Sequence, residues 1–220
     1  MGAIYLVRHG QASFGAADYD VLSERGAEQA RLAGDELGRR GVRANEVCCG
    51  TLSRQRATAA EALARFAPDA VAKEDPRWNE YDHVDLAAHH GGAVTQDGAE
   101  PRAYQTALET ALSAWTEAGA ASPAAEPWPD FLGRVRGAFE ELVARLGSGE
   151  QAVVVTSGGV IATLCGLATG DAARGLITFN RVVVNAGITK FVTGRSGTTL
   201  LSFNEHGHFE GETRRLLSYR

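Results

Sequence analysis

Hydrophobic positions along the chain fall into two regimes: short apolar runs rich in β-branched residues, and longer stretches in which apolar residues recur every three or four positions. The first run, Ala3 to Val7, ends abruptly in Arg8, His9 and Gly10, which predicts a buried strand closed by a chain reversal. A polar loop from Ala12 to Asp20 follows. Ser23 then stands as a helix cap before Glu24, and Ala27, Ala30, Leu32, Ala33 and Leu37 mark a helical face that ends at Gly38 and Gly41. Asn45 to Gly50 predicts a second strand, and Ser53 to Phe66 a second helix, closed by Pro68. Between Ala72 and Ala99 the period fails; Pro76, three histidines and three glycines predict an irregular excursion over the active edge of a sheet.

Arg102 to Ala118 and Phe131 to Leu146 are helical by period, and the proline-bearing stretch Gly119 to Asp130 between them predicts an ordered surface loop. Val153 to Thr156 reads as the clearest buried strand, and Val160 to Ala168, apolar on nearly every side, as a buried helix. Further strands are predicted at Arg181 to Asn185, Ile188 to Val192 and Leu200 to Phe203, the last pairing as a hairpin across Gly194 to Gly197. Strands alternating with helices predict an α/β fold with a mostly parallel sheet covered on both faces. No repeat or boundary divides the chain, so a single domain over residues 1–220 is expected.

Composition narrows the function classes. With 44% apolar and 22% charged residues, the chain is neither disordered nor membrane-spanning in character. Its net charge of -5 gives no general attraction for nucleic acid or an anionic membrane, so an anionic substrate needs a local basic pocket. The strand begins almost at the N-terminus, with no basic region or cleavage site before it, and a cytoplasmic location is expected. Cys48, Cys49 and Cys165 lie in apolar surroundings without metal-ligand spacing and read as reduced core residues.

The candidate chemistry sits where the first strand ends. Ligands of open α/β sheets bind outside the carboxyl ends of the strands, which is where Arg8 and His9 fall. A guanidinium offers a planar fork that matches two phosphate oxygens, and a neutral imidazole is a nucleophile once its second nitrogen is held as a donor. Three residues alone also fit a solvated strand end. Later motifs decide between the two.

Taken in order, the motifs resemble the histidine phosphatase superfamily, which includes the cofactor-dependent phosphoglycerate mutases and several acid phosphatases. Arg8-His9-Gly10 is similar to the family's opening signature, and Leu22-Ser23-Glu24-Arg25-Gly26 through Gln29-Ala30 to the helix entrance after it. Thr51-Leu52-Ser53-Arg54 through Thr58-Ala59 resembles the second-strand motif, Trp78-Asn79-Glu80 the site of the proton-donating glutamate, and Val155-Thr156-Ser157-Gly158-Gly159 the later strand-end motif. The resemblance implies a three-layer αβα sandwich and a two-step phosphoryl transfer through a phosphohistidine, with neither metal nor cofactor. On that basis His9 attacks phosphorus, Arg8 and Arg54 bind phosphate, and Glu80 protonates the leaving alkoxide. Helix salt-bridging by Arg54 and simple solvation of Glu80 are the structural alternatives.

One position departs from the family pattern: where a second histidine is usual, this chain has Ser157. A hydroxyl donates one hydrogen bond but carries no charge. Compensation is expected from free backbone N–H groups of Gly158 and Gly159 at a helix entrance, or from His83 or His208 as an alternative cation. His206 and His208 alternate after the last strand, but two ligands make no metal site, and surface positions are expected for both. His89 and His90 read as a solvated turn.

The function expected from these features is a phosphomonoester hydrolase acting on a small phosphorylated substrate; sugar phosphates, phosphorylated metabolites and phosphoproteins all fit. A second possibility is a phospho-ligand-binding or regulatory protein that kept the pocket. Phosphoglycerate mutase activity fits less well, because the loop Gln11-Ala12-Ser13-Phe14-Gly15 lacks the tryptophan and asparagine expected there.

Overall fold

The protein is described by a computed structural model covering residues 1–13, 20–91 and 101–219, with side chains left undescribed at 101–104. Parts of two expected segments, the loop from Ala12 to Asp20 and the excursion up to Ala99, therefore lie outside the described residues.

Alternation in the first strand decides the architecture. In β1 (Gly2–Arg8), Ile4 and Leu6 join one hydrophobic cluster while Ala3, Tyr5 and Val7 join another. A strand apolar on both faces requires a covering layer on each. One layer is built by α1 (Glu24–Arg39) and α2 (Ser53–Phe66), which supply Ala33, Leu37 and Ala59 to the second cluster. Two strands pair on that side of the chain's path: β2 (Glu46–Cys49) and β3 (Lys73–Glu74). Next come α3 (His83–His90), α4 (Pro101–Ala118) and α5 (Trp128–Arg145), then β4 (Gln151–Thr156), α6 (Gly158–Thr169) and α7 (Ala172–Asn180). These five helices supply the first cluster, which closes over the other face around Trp115, Trp128 and Phe131. The hairpin of β5 (Ile188–Gly194) and β6 (Gly197–Glu205) ends the sheet. The result is the expected three-layer αβα arrangement.

The six-stranded sheet has the order β3-β2-β4-β1-β5-β6. β1, β2, β3 and β4 pair in parallel, whereas β5 runs antiparallel to both β1 and β6. After β1 the chain leaves toward β2 through α1; after β4 it leaves toward β5 through α6 and α7, packed on the opposite face. Connections that diverge from neighbouring strands open a crevice at their carboxyl ends. β1 and β4 are such neighbours, paired up to Arg8 and Thr156.

Several expectations are corrected. Arg181–Asn185 is no strand: its backbone is engaged elsewhere, with the Val183 carbonyl accepting from Arg8, Val184 N donating to Asn204 Oδ1 (2.8 Å) and Asn185 N donating to Ser218 O (2.9 Å). The β-branched run was a poor guide because its partners are side chains and the C-terminal tail. The excursion is partly regular, holding β3, a 3-10 turn at Pro76–Trp78 and α3. His89 and His90 form the last turn of α3 rather than a solvated turn, and His90 Nε2 lies 2.7 Å from Ser122 Oγ. Helix α7 went unanticipated, although Asp171 caps it through Arg174 N (3.0 Å).

The turn after β1 is locked to α1 by backbone approach. A Cβ built on Gly26 falls 2.2 Å from the Gln11 carbonyl oxygen, and one on Gly10 falls 2.3 Å from the Gly26 carbonyl oxygen. Helix propensity alone favours Gly26→Ala by about 1 kcal/mol. The collision outweighs it, and the substitution is expected to destabilise the fold by about 1–3 kcal/mol in urea unfolding; a more stable variant would show that the turn is not held by this contact.

Candidate active site

Four segments meet at the carboxyl end of β1 and β4. β1 delivers Arg8 and His9, the start of α2 delivers Arg54, the chain after the Pro76–Trp78 turn delivers Glu80, and the start of α6 delivers Ser157, Gly158 and Gly159. Thr156 O accepts from His9 N at 2.8 Å and so carries the parallel pairing into the site.

His9 is 5% exposed, and its Nδ1 lies 2.7 Å from the Gly10 carbonyl oxygen. A carbonyl only accepts, so Nδ1 carries the proton and Nε2 keeps its lone pair. Arg54 Nε donates to that Nε2 across 3.1 Å. Burial, then the Arg54 and Arg8 cations, hold the His9 pKa well below the usual imidazole range, against the opposing Gly10 hydrogen bond. His9 is therefore neutral at pH 7.

Arg54 is buried and its fork is already oriented. Its Nη1 pairs with Asp20 Oδ1 at 2.6 Å, while Asp20 Oδ2 accepts from Ser53 N at 2.7 Å. Thr58 donates to the Arg54 carbonyl (2.7 Å) and accepts from Gly10 N (3.0 Å), tying α2 to the turn after His9. Arg54 is thus more than a surface helix salt bridge. Arg8 is held from the other side: its Nη1 donates to the Val183 carbonyl and, at 2.8 Å, to that of Tyr219. Its guanidinium lies against the start of α6, since a Cβ on Gly158 falls 3.5 Å from Arg8 Nε.

The Glu80 carboxylate accepts from Gly159 N (2.9 Å) and Tyr81 N (3.3 Å). Burial raises its pKa above the usual carboxylate range, outweighing those donors and the Arg54 and Arg8 cations. A Cβ on Gly159 falls 2.3 Å from Glu80 Oε1, so only glycine admits the carboxyl here. The N-terminus of α6 is accordingly capped by the Glu80 carboxyl, and the Gly159 N–H expected to be free is occupied.

Ser157 is fully buried, and its Oγ accepts from Gln55 Nε2 at 2.9 Å; Gln55 also donates to the Trp78 carbonyl (3.1 Å). Thr156 Oγ1 donates to the same carbonyl at 2.6 Å, so this network fixes the root of the Glu80 segment to β4 and α2. His83 opens α3, half-buried and near enough to Arg54 for that cation to help lower its pKa, after burial and against Asp82. His208 does not join the site. Its charged neighbours include Glu36 and Arg40, its Nε2 lies 3.1 Å from the Ala186 carbonyl, and burial pushes its pKa down to about 4. Neither His206 nor His208 is a fully exposed surface residue, as both are half-buried.

Asp20, Gln55, Asn185 and the C-terminal tail escaped the sequence. Asn185 donates to the His9 carbonyl at 3.2 Å, and Ser218 Oγ donates to Asn185 Oδ1 at 3.0 Å. Gln55 alone left a signal, as a polar side chain on the apolar, Arg54-bearing side of α2.

A family model described as the histidine phosphatase superfamily (branch 1) matches residues 4–206. The chain belongs to that superfamily. No curated protein matches it. Among solved structures, it is similar to a mutant phosphoserine phosphatase from Entamoeba histolytica in complex with phosphoserine, with a TM-score of 0.70, 17% identity, and coverage of 94% of this chain and 99% of that one. A phosphoglycerate mutase from Bacillus anthracis gives 0.68 at 18% identity, covering 94% of each chain. A mycobacterial glucosyl-3-phosphoglycerate phosphatase with bound VO3 gives 0.63 at 23% identity, covering 93% of this superfamily member and 99% of the other chain. At these identities the likeness is one of fold.

The electrostatics of His9 make a direct prediction for nitrogen NMR. At pH 7 its ring is expected as the neutral Nδ1–H form, and Arg54→Gln, which removes a cation, is expected to raise its pKa toward 6.5. A protonated ring at pH 7 in the unaltered protein would contradict the site as described.

Proposed function

We propose that this histidine phosphatase superfamily member is a phosphomonoester hydrolase that works through a phosphohistidine on His9. The carrying observation is the convergence of the His9 Nε2 lone pair and the Arg54 guanidinium, 3.1 Å apart, with Nδ1 tied to Gly10. A nucleophile must be unprotonated yet next to the charge it will acquire. Burial and flanking cations meet that requirement together.

In the first step Arg54 Nε exchanges its hydrogen bond to His9 Nε2 for one to a phosphoryl oxygen, and the freed Nε2 lone pair attacks phosphorus in line, forming the N–P bond as the P–O ester bond breaks. Glu80, its pKa raised by burial, transfers its proton to the leaving alkoxide. Arg8 and Arg54 take up the charge of the equatorial oxygens; the phosphate competes with Asp20 for the Arg54 fork. Water then attacks the phosphohistidine, giving its proton to Glu80, and free His9 and inorganic phosphate result. Arg8, Arg54, His9 and the Glu80 carboxyl make up this constellation, with the Asp20 carboxylate committed to Arg54, and that set supports a metal-independent reaction on a small phosphorylated substrate. Solved relatives in fold bind or act on phosphoserine and glucosyl-3-phosphoglycerate, chemically compatible with that class.

Ser157 supports a second possibility, a phospho-ligand binder with weak turnover. Its hydroxyl supplies no charge and is engaged by Gln55. A missing donor to the transition state costs on the order of a hundred- to a thousandfold in rate.

A panel of phosphomonoesters separates the two. Hydrolysis is expected with an acid-labile phosphoryl label on His9, and His9→Ala is expected to lose about a thousandfold or more of kcat. Phosphate binding without turnover of any ester would favour the binder. Rate should fall as pH drops through the lowered His9 pKa, below 6.5, and as it rises through the raised Glu80 pKa, above 4.5, because the first step needs neutral imidazole and protonated carboxyl. Arg54→Lys keeps the charge but loses the fork, and is expected to lower kcat about a hundredfold with a smaller rise in KM; wild-type turnover would make Arg54 structural.

A further inference from the structure

Glu80 lies on a segment without regular structure, between the Pro76–Trp78 turn and α3. A proton donor there needs an external support, since a displacement of about 1 Å at a reacting group costs on the order of a hundredfold in rate. Gly159 and Tyr81 hold the carboxylate, but neither fixes the backbone that carries it.

That backbone is gripped by Arg134, on α5. Arg134 Nη1 donates to the Arg77 carbonyl at 2.9 Å and to the Asn79 carbonyl at 2.7 Å, and Nη2 approaches the Glu80 carbonyl at 3.4 Å. The guanidinium is itself aimed from two sides. Glu126 accepts from it in bidentate fashion, with Nη2 to Oε2 at 2.9 Å, and its carbon lies 4.6 Å from the Phe131 ring centroid. Glu126 is in turn placed by Trp115, whose Nε1 donates to its carbonyl at 2.9 Å. Arg134, Asn79, Glu80, Tyr81 and Glu126 share the wall of a pocket of about 380 Å³, so the arginine head is not packed solidly on every side.

We propose that Arg134 is a positioning residue for Glu80: its planar fork spans successive carbonyls of the Arg77–Glu80 segment and sets the height of the proton donor over the leaving-group oxygen. This rests on the phosphatase reading of the site. Glu126 balances the arginine's charge, and the cations that act on Glu80 are Arg54 and Arg8. Arg134 touches the backbone carbonyls of the segment and not the carboxyl, so it works through geometry. A lysine cannot replace it, because one ammonium does not span the same carbonyls.

The test exploits the leaving group. The value of kcat/KM reports events up to transfer of the phosphoryl group to His9, in which an alkyl ester needs a proton from Glu80 and p-nitrophenyl phosphate, whose phenolate leaves unaided, does not. Glu80→Gln is expected to lose about a hundredfold or more on an alkyl phosphate and less than tenfold on the aryl ester. Arg134→Ala and Arg134→Lys are expected to show the same selectivity at roughly ten- to a hundredfold, and guanidinium chloride at tens of millimolar is expected to recover activity of the alanine variant on the alkyl ester. Urea at equal concentration should not.

Equal losses on both esters, or none, with Glu80→Gln still selective, would overturn the role of Arg134 while leaving the phosphatase intact. Absence of hydrolysis of either ester by the unaltered protein would instead remove the phosphatase reading itself. Should Arg134→Ala fail to fold, Arg134→Lys carries the same comparison.

Discussion

A neutral imidazole between two guanidinium groups is the constraint on which the rest of the site depends. Were His9 protonated, three cations would crowd one crevice, and Arg54 Nε could not donate to Nε2 at 3.1 Å. Burial and the two cations keep the ring neutral, and the Gly10 carbonyl, accepting from Nδ1–H, fixes the tautomer that leaves the Nε2 lone pair to Arg54, which in turn requires a tight turn after β1. That turn is held by the approach of Gly10 to Gly26 and by Thr58 from α2. Backbone geometry and the tautomer of the imidazole are thus one problem with one solution.

The two carboxylates near the arginines are treated differently. Asp20 pairs directly with Arg54 and serves the start of α2, so it is an oriented anion. Glu80 sits at the N-terminus of α6 with its pKa raised, because burial outweighs the dipole and the nearby cations. Environment, and not residue type, makes one a counter-charge to Arg54 and favours the neutral form of the other. Asp20 also compensates the Arg54 charge, which limits the cost of holding a buried cation.

The same economy of burial explains the polar interior at the strand ends. Gln55, Ser157, Thr156 and Asn185 are all buried, and each satisfies a backbone or side-chain partner: Trp78 O, Gln55 Nε2, Trp78 O again, and His9 O. A hydrophobic core would pack this region more simply. Polar groups are present because irregular backbone converges here and its carbonyls need donors.

Much of this was legible along the chain. The two-sided apolar run of β1, the periodic faces of α1, α2 and α5, and the motif residues Arg8, His9, Arg54 and Glu80 declare themselves locally, because side-chain period and chemical type are local properties. Three things were not. The run Arg181–Asn185 has strand composition but no strand partner, since pairing is decided by what lies beside it in space. His208 alternates with His206 like a site residue, yet folds against Ala186 and the Glu36–Arg40 end of α1. Arg134 lies 54 positions from Glu80 in an unremarked helical stretch, and only the packing of α5 brings its fork under the carbonyls of the Glu80 segment. Sequence by itself determined the layers and the candidate site residues; tertiary structure decided which polar residues hold them, because a hydrogen-bond partner is chosen by distance and angle, and neither is written in spacing along a chain.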